Sequence, residues 1–168
     1  MEFEGTANPA DPLTLGLGVT WLDATYQEFL LSSVGDLSGR SVAGVPNWTV
    51  VVSGQWAQPL SNGDELVLRS TFLHESETNI VEGLPGFISR GEGAAIAAAD
   101  QFTREANELS ASVTYVMAGT GVELSVWGRN LLNNRHLLSV FDSVAQPFAV
   151  SGYTNQPRTY GVGARYRF

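Results

Sequence analysis

The chain of 168 residues contains no cysteine. That excludes a disulfide-stapled scaffold, a thiolate metal centre and a cysteine nucleophile. Histidine is nearly absent: His74 and His136 are the only two, and each stands alone. His74 lies beside Glu75 and Glu77, but a zinc site wants three or four protein ligands, so a solvated strand end is the better reading. No apolar run reaches the roughly 18 residues that a spanning helix needs. Basic residues are few, 9 against 17 acidic ones, for a net charge of −8. Without a basic patch, nucleic acid is not an expected partner.

Catalytic signatures are missing too. No Gly-x-Ser-x-Gly elbow frames a serine. Gly91-Glu92-Gly93-Ala94-Ala95-Ile96 looks superficially like a dinucleotide loop. It follows no convincing strand and no βαβ unit surrounds it, so no cofactor is assigned. Asn47-Trp48-Thr49 forms a glycosylation sequon at the start of a strand and is read as incidental. The chain is therefore not expected to be an enzyme. Its opening, MEFEGTANPADP, has neither a basic n-region nor an apolar h-region, so an exported protein would carry its signal upstream.

What is present is alternation. Hydrophobic residues make up 43% of the chain, and mean hydropathy is +0.00. Strands that alternate apolar and polar residues average to such a value, and transmembrane barrels are built of them. Segments 13–23, 48–58, 65–74, 108–117, 122–130 and 158–168 alternate over the 9–11 residues that cross a bilayer at a tilt. In the clearest, Leu109, Ala111, Val113, Tyr115 and Met117 oppose Glu108, Ser110, Ser112 and Thr114. Val51 breaks the pattern in 48–58. A short seventh candidate runs from Glu2 to Ala7.

The connections carry as much information. Asn8–Pro12, Pro59–Asp64 with its Asn62-Gly63 turn, and Ala118–Gly121 are tight. Ala24–Asn47, Glu75–Asn107 and Leu131–Pro157 are long. Tight and long connections alternate throughout. Outer-membrane barrels keep this rhythm, with short periplasmic turns and long outer loops, whereas compact soluble domains keep most connections short. Residues 32–44 are expected to be flexible, and Ala94–Ala99 to form a short helical turn. Tyr26, Trp48, Tyr160, Tyr166 and Phe168 fall near strand ends, as interfacial girdles would place them. Glu65, Arg69, Glu108, Glu123, Arg129, Arg165 and Arg167 would project into a hydrated lumen.

Val122–Leu132, with its Arg129-Asn130-Leu131 stretch, resembles the penultimate barrel strand of TonB-dependent receptors. Pro157–Phe168, opening Pro-Arg-Thr-Tyr-Gly and closing on an aromatic, resembles their final strand. Val45-Pro46-Asn47-Trp48-Thr49 is similar to their Pro-x-Trp strand start, and Glu2-Phe3-Glu4-Gly5 to a mid-barrel strand. The resemblance implies that residues 1–168 are the C-terminal portion of such a barrel, without plug domain or signal peptide. The seven strands would be about a third of a full barrel of 22. The expected fold is all-β: an antiparallel meander, forming an open, curved segment of a transmembrane barrel with an apolar convex face. The implied location is the outer membrane of a Gram-negative bacterium. The implied role is transport of a ferric siderophore or similar scarce nutrient, with ligand choice in loops 24–47, 75–107 and 131–157. Implied partners are outer-membrane lipid, the missing upstream barrel and plug, TonB through the absent N-terminal part, and the barrel-assembly machinery. Tyr166 and Phe168 would carry the assembly signal, since an amphipathic strand with an aromatic end suits strand addition. Alternative readings are a small independent outer-membrane pore and a soluble lipocalin-like β-barrel binding protein.

Overall fold

A computed structural model describes residues 1–30, 33–143 and 145–168. The chain is all-β. Its main sheet contains β1 (Glu2–Ala10), β2 (Leu13–Trp21), β3 (Trp48–Pro59), β4 (Glu65–Asn79), β5 (Thr103–Met117) and β6 (Val122–Arg129). A hairpin of β7 (Leu137–Asp142) and β8 (Val150–Thr154) stands apart, and β9 (Thr159–Tyr166) returns to the main sheet beside β6. The seven strands pair in the order β1-β2-β3-β4-β5-β6-β9, every pair antiparallel. β1 and β9 do not pair with each other, so the sheet is open at both edges.

Register makes the alternation continuous across the sheet. Leu17 sits opposite Val52, Val52 opposite Phe72, Phe72 opposite Leu109. Val113 faces Val126, and Val126 faces Val162. One face is thereby predominantly apolar, interrupted by Ser70 and, at the loop end, by His74 and Asn107, and it is bare: Leu17, Val52, Val113, Val126 and Val162 are all exposed. The opposite face carries Thr6, Ser53, Thr71, Ser112 and Ser125. Val51 does fall on this polar face, between Gly18 and Leu73.

The strands begin and end close to the expected positions, with two departures. β1 continues through Pro9 to Ala10 across an irregularity after Ala7, where the missing proline N–H costs no ladder bond. The first turn is thus shorter than Asn8–Pro12. β4 and β5 run further than their alternation, over Glu75–Asn79 and Thr103–Asn107. Here polar pairs replace apolar ones. Arg104 binds Glu75, and the Thr103 hydroxyl donates to Glu77 Oε1 at 2.7 Å. These pairs stabilise an extension that period-2 hydrophobicity does not announce.

The tight turns gather at one end. Gly121 has φ +72°, and a Cβ there would lie 2.2 Å from the Arg167 carbonyl oxygen, so glycine is required. Asp64 joins two turns. It accepts from the Tyr115 hydroxyl, from the Ala118 amide at 2.7 Å and from Asn62 Nδ2 at 2.7 Å.

The three long connections share the other end and pack together. The middle one holds a 3-10 turn, Pro85–Arg90, and α1, Ala94–Ala99, where the alanine run was expected to coil. Leu84, Ala98, Ala99 and Val140 are buried in a small core, with Phe87, Phe102, Leu137 and Val150 against it. β7 and β8 contribute to that core from a connection expected to be a plain loop. The stretch expected to be flexible, 32–44, is held from 33 onward: Leu37 is buried, and the Gly39 and Val42 amides donate to Tyr26 and Ala24. Ser32 lies outside the described residues.

Candidate functional site

Two regions gather chemistry: the loop layer at one end of the sheet and the middle of the polar face.

In the loop layer, Glu82 links the first two long loops. Its Oε1 accepts from the Tyr26 hydroxyl and from the Ala43 amide, both at 2.8 Å. That hydrogen bond, then partial burial and the carboxylate charge, push the Tyr26 phenol above its ordinary value. Arg40 pairs with Asp100, and the Gly86 amide donates to Asp142 Oδ2 at 2.8 Å, tying the middle loop to β7. Arg90 sits over the Phe148 ring at 3.9 Å.

Beneath this layer lies a polar network that sequence reasoning missed. Asn130 and Asn155 are buried. Asn130 Nδ2 donates to the carbonyls of Asn134 and Gln156, both at 2.9 Å, and its Oδ1 accepts from the Asn134 amide at 2.9 Å. This one side chain closes both ends of the last long connection. Its φ of +48° is a conformation asparagine tolerates better than most residues. Asn155 Nδ2 donates to Glu108 Oε1 at 2.9 Å, and His136 Nε2 lies 3.9 Å from the same oxygen. The Asn in Arg129-Asn130-Leu131 was a usable signal for a left-handed turn. Nothing in the sequence signalled the pairing of Asn155 with Glu108.

His74 and its neighbouring carboxylates do not converge. Its Nδ1 lies 2.9 Å from Asn107 Oδ1, while Glu75 and Glu77 turn to Arg104 and Thr103. A cleft of about 530 Å³ opens between the β4–β5 extension and the β7–β8 hairpin, lined by Glu77, Arg104, Glu105, Arg135, His136 and Thr154.

No family model matches this chain, and neither a curated protein nor a solved structure is found to be similar to it.

The polar face carries the charges assigned to a lumen. Glu123 pairs across the strands with Arg165 at 3.9 Å and with Arg167 at 2.8 Å. Arg69 donates to Gln55 Oε1 at 2.8 Å. Arg129 lies over the Trp127 ring, 5.2 Å from its centroid. Tyr166 pairs opposite Val122 at the free edge of the sheet, and its ring is 6.3 Å from that of Phe168. Both aromatic side chains are exposed.

Proposed function

We propose that this chain is the C-terminal part of the barrel wall of a TonB-dependent transport receptor in the outer membrane, a structural and ligand-facing element rather than a catalyst. The bare apolar face carries the reading. Among the described residues eight apolar side chains are buried, while twenty-five large ones are exposed. Thirteen of the latter lie on one face of the sheet, from Phe3 on β1 to Tyr166 on β9. Half-exposing each in water forgoes about 1 kcal/mol, or roughly 10 kcal/mol together. That is as large as the whole stability of an ordinary domain. Against lipid tails the cost vanishes.

The aromatic residues on this face support the same orientation. Trp21 and Trp48 pair at the loop end, their rings 6.5 Å apart. Trp56, Tyr115 and Tyr166 sit towards the turn end. A rise of about 3.3 Å per residue separates Trp48 from Trp56 by roughly 26 Å along the strand. At a tilt of 35–45° this spans about 19–22 Å of the bilayer, close to the height of a barrel's apolar band.

Strand direction favours a part over a complete small barrel. β1 and β9 run the same way, so closing the sheet on itself would make one parallel seam in an antiparallel barrel. An odd number of further strands restores an even count. The packed long loops would then face outward, with the cleft at Arg135 and His136 open to an incoming ferric siderophore or similar nutrient. Tyr166 and Phe168 would serve barrel assembly.

The native chain has no cysteine, which makes the test clean. Single cysteines at Val113, Ala111 and Leu109, and at Ser112 and Ser110, are labelled with a polarity-sensitive maleimide dye in phospholipid vesicles. The expected emission alternates along β5, with odd positions blue-shifted. Uniform emission, or blue-shifted serine positions, refutes the proposal.

A further inference from the structure

The chain has no lysine; all nine cations are arginines. Among the described residues Arg40, Arg104, Arg165 and Arg167 pair with carboxylates. Arg69 and Arg129, in the middle of the polar face, do not. They line one open cavity of about 260 Å³, with the hydroxyls of Thr71, Ser110 and Ser112 between them and Trp127 beside them. Register explains the grouping: Arg69, Ser112 and Trp127 form one row across β4, β5 and β6, and Thr71 and Ser110 the next.

Three details hold the patch positive in an acidic chain. Among the described residues Arg69 is engaged by the neutral Gln55 and by no carboxylate. Arg129 is held over Trp127, whose ring crosses Gly161; a Cβ there would lie 2.2 Å from the indole. Glu108, the carboxylate two residues from Ser110, is drawn away by Asn155 Nδ2 at 2.9 Å. Two guanidinium groups without counter-charges, flanked by hydroxyl donors, have the chemistry that recognises an oxyanion.

We propose that this patch binds a small organic dianion, one carboxylate or phosphate group to each arginine, on the polar wall of the sheet. The cavity, about 260 Å³ and open to solvent, is of a size that suits a molecule of a few carbons. This site is independent of the receptor reading, since it needs only the polar face and its register.

The test uses the folded chain, titrated by calorimetry with succinate, inorganic phosphate and neutral succinamide at fixed ionic strength. Saturable binding of succinate or phosphate, with none of succinamide, is expected, and whichever anion binds more tightly identifies the head group. Arg69→Gln and Arg129→Gln each weaken binding by about 10-fold or more, the value of one charge-assisted bond. Arg158→Gln, outside the cavity, leaves it unchanged. Both glutamine variants keep a polar side chain on an exposed position, and unchanged circular dichroism verifies their fold. Absence of saturable anion binding overturns the proposal. So does binding that survives both substitutions, or that falls equally in Arg158→Gln. The vesicle experiment above reads lipid exposure of the other face, so the two readings fail separately.

Discussion

Replacing Asn130 by alanine removes the side chain that closes the last long connection. Three hydrogen bonds disappear, two donated to Asn134 and Gln156 and one accepted from Asn134. The Asn134 carbonyl keeps a donor in Asn155 Nδ2 at 2.9 Å, so two groups are left without their Asn130 partner: the Gln156 carbonyl and the Asn134 amide. At about 1 kcal/mol for each net bond lost, the side chain contributes roughly 2–3 kcal/mol. Alanine at φ +48° adds about 1 kcal/mol of backbone strain. The expected loss is therefore about 3–4 kcal/mol for Asn130→Ala and about 2–3 kcal/mol for Asn130→Gly, which is free of the strain. Urea unfolding of the refolded chain, followed by circular dichroism, measures both. A loss under about 0.5 kcal/mol in Asn130→Ala, or a glycine variant no more stable than the alanine one, would refute the role given to Asn130.

Gly161→Val forces the Trp127 indole off its position. It is expected to cost about 1–3 kcal/mol and to change the fluorescence assigned to Trp127 by comparison with Trp127→Phe; an unaltered spectrum contradicts the packing. Asp64 is held below the ordinary carboxyl value of 3.8, first by the Tyr115 hydroxyl and then by the Ala118 amide. Its contribution is thus present above that value and lost as pH falls through the lowered one. Asp64→Asn should be less stable than the native chain at neutral pH and equal to it in strong acid; a gap that persists in acid rules this out. Tyr26 is raised above 10.0 by its bond to Glu82. The tie between the first two long loops should hold below pH 10 and loosen as pH rises through the raised value. Protection of the Ala43 amide, its exchange rate corrected for the intrinsic base-catalysed rate, reads this, and Tyr26→Phe should remove the loss of protection at high pH.

The Gly86 amide and Asp142 show how loop packing constrains sequence. A Cβ at Gly86 would lie 2.7 Å from Asp142 Oδ1. Gly86→Ala should therefore separate the middle loop from the β7–β8 hairpin, and faster proteolysis within 80–102 would report it.

Strand positions were legible because alternation is a local property. Whether a side chain faces up or down depends on its own index, so Leu109 to Met117 declared a face without knowing their neighbours. The tight turns were legible for the same reason: Asn62-Gly63 and Gly119-Thr120-Gly121 specify backbone conformation within two residues. The β7–β8 hairpin was not, since five or six residues are too few to separate alternation from chance. The β4–β5 extension was hidden because Arg104 and Glu75 make a strand pair that hydropathy reads as loop.

The sequence by itself determined which residues share a face, where the chain turns tightly, and that the long connections all fall at one end. The tertiary structure alone decided that those connections pack into a layer, that Asn155 reaches Glu108, and that Arg69 and Arg129 border one cavity. Each of these joins residues tens of positions apart. Their meeting depends on strand register and on the closing of long loops, and neither is encoded in any short window of the chain.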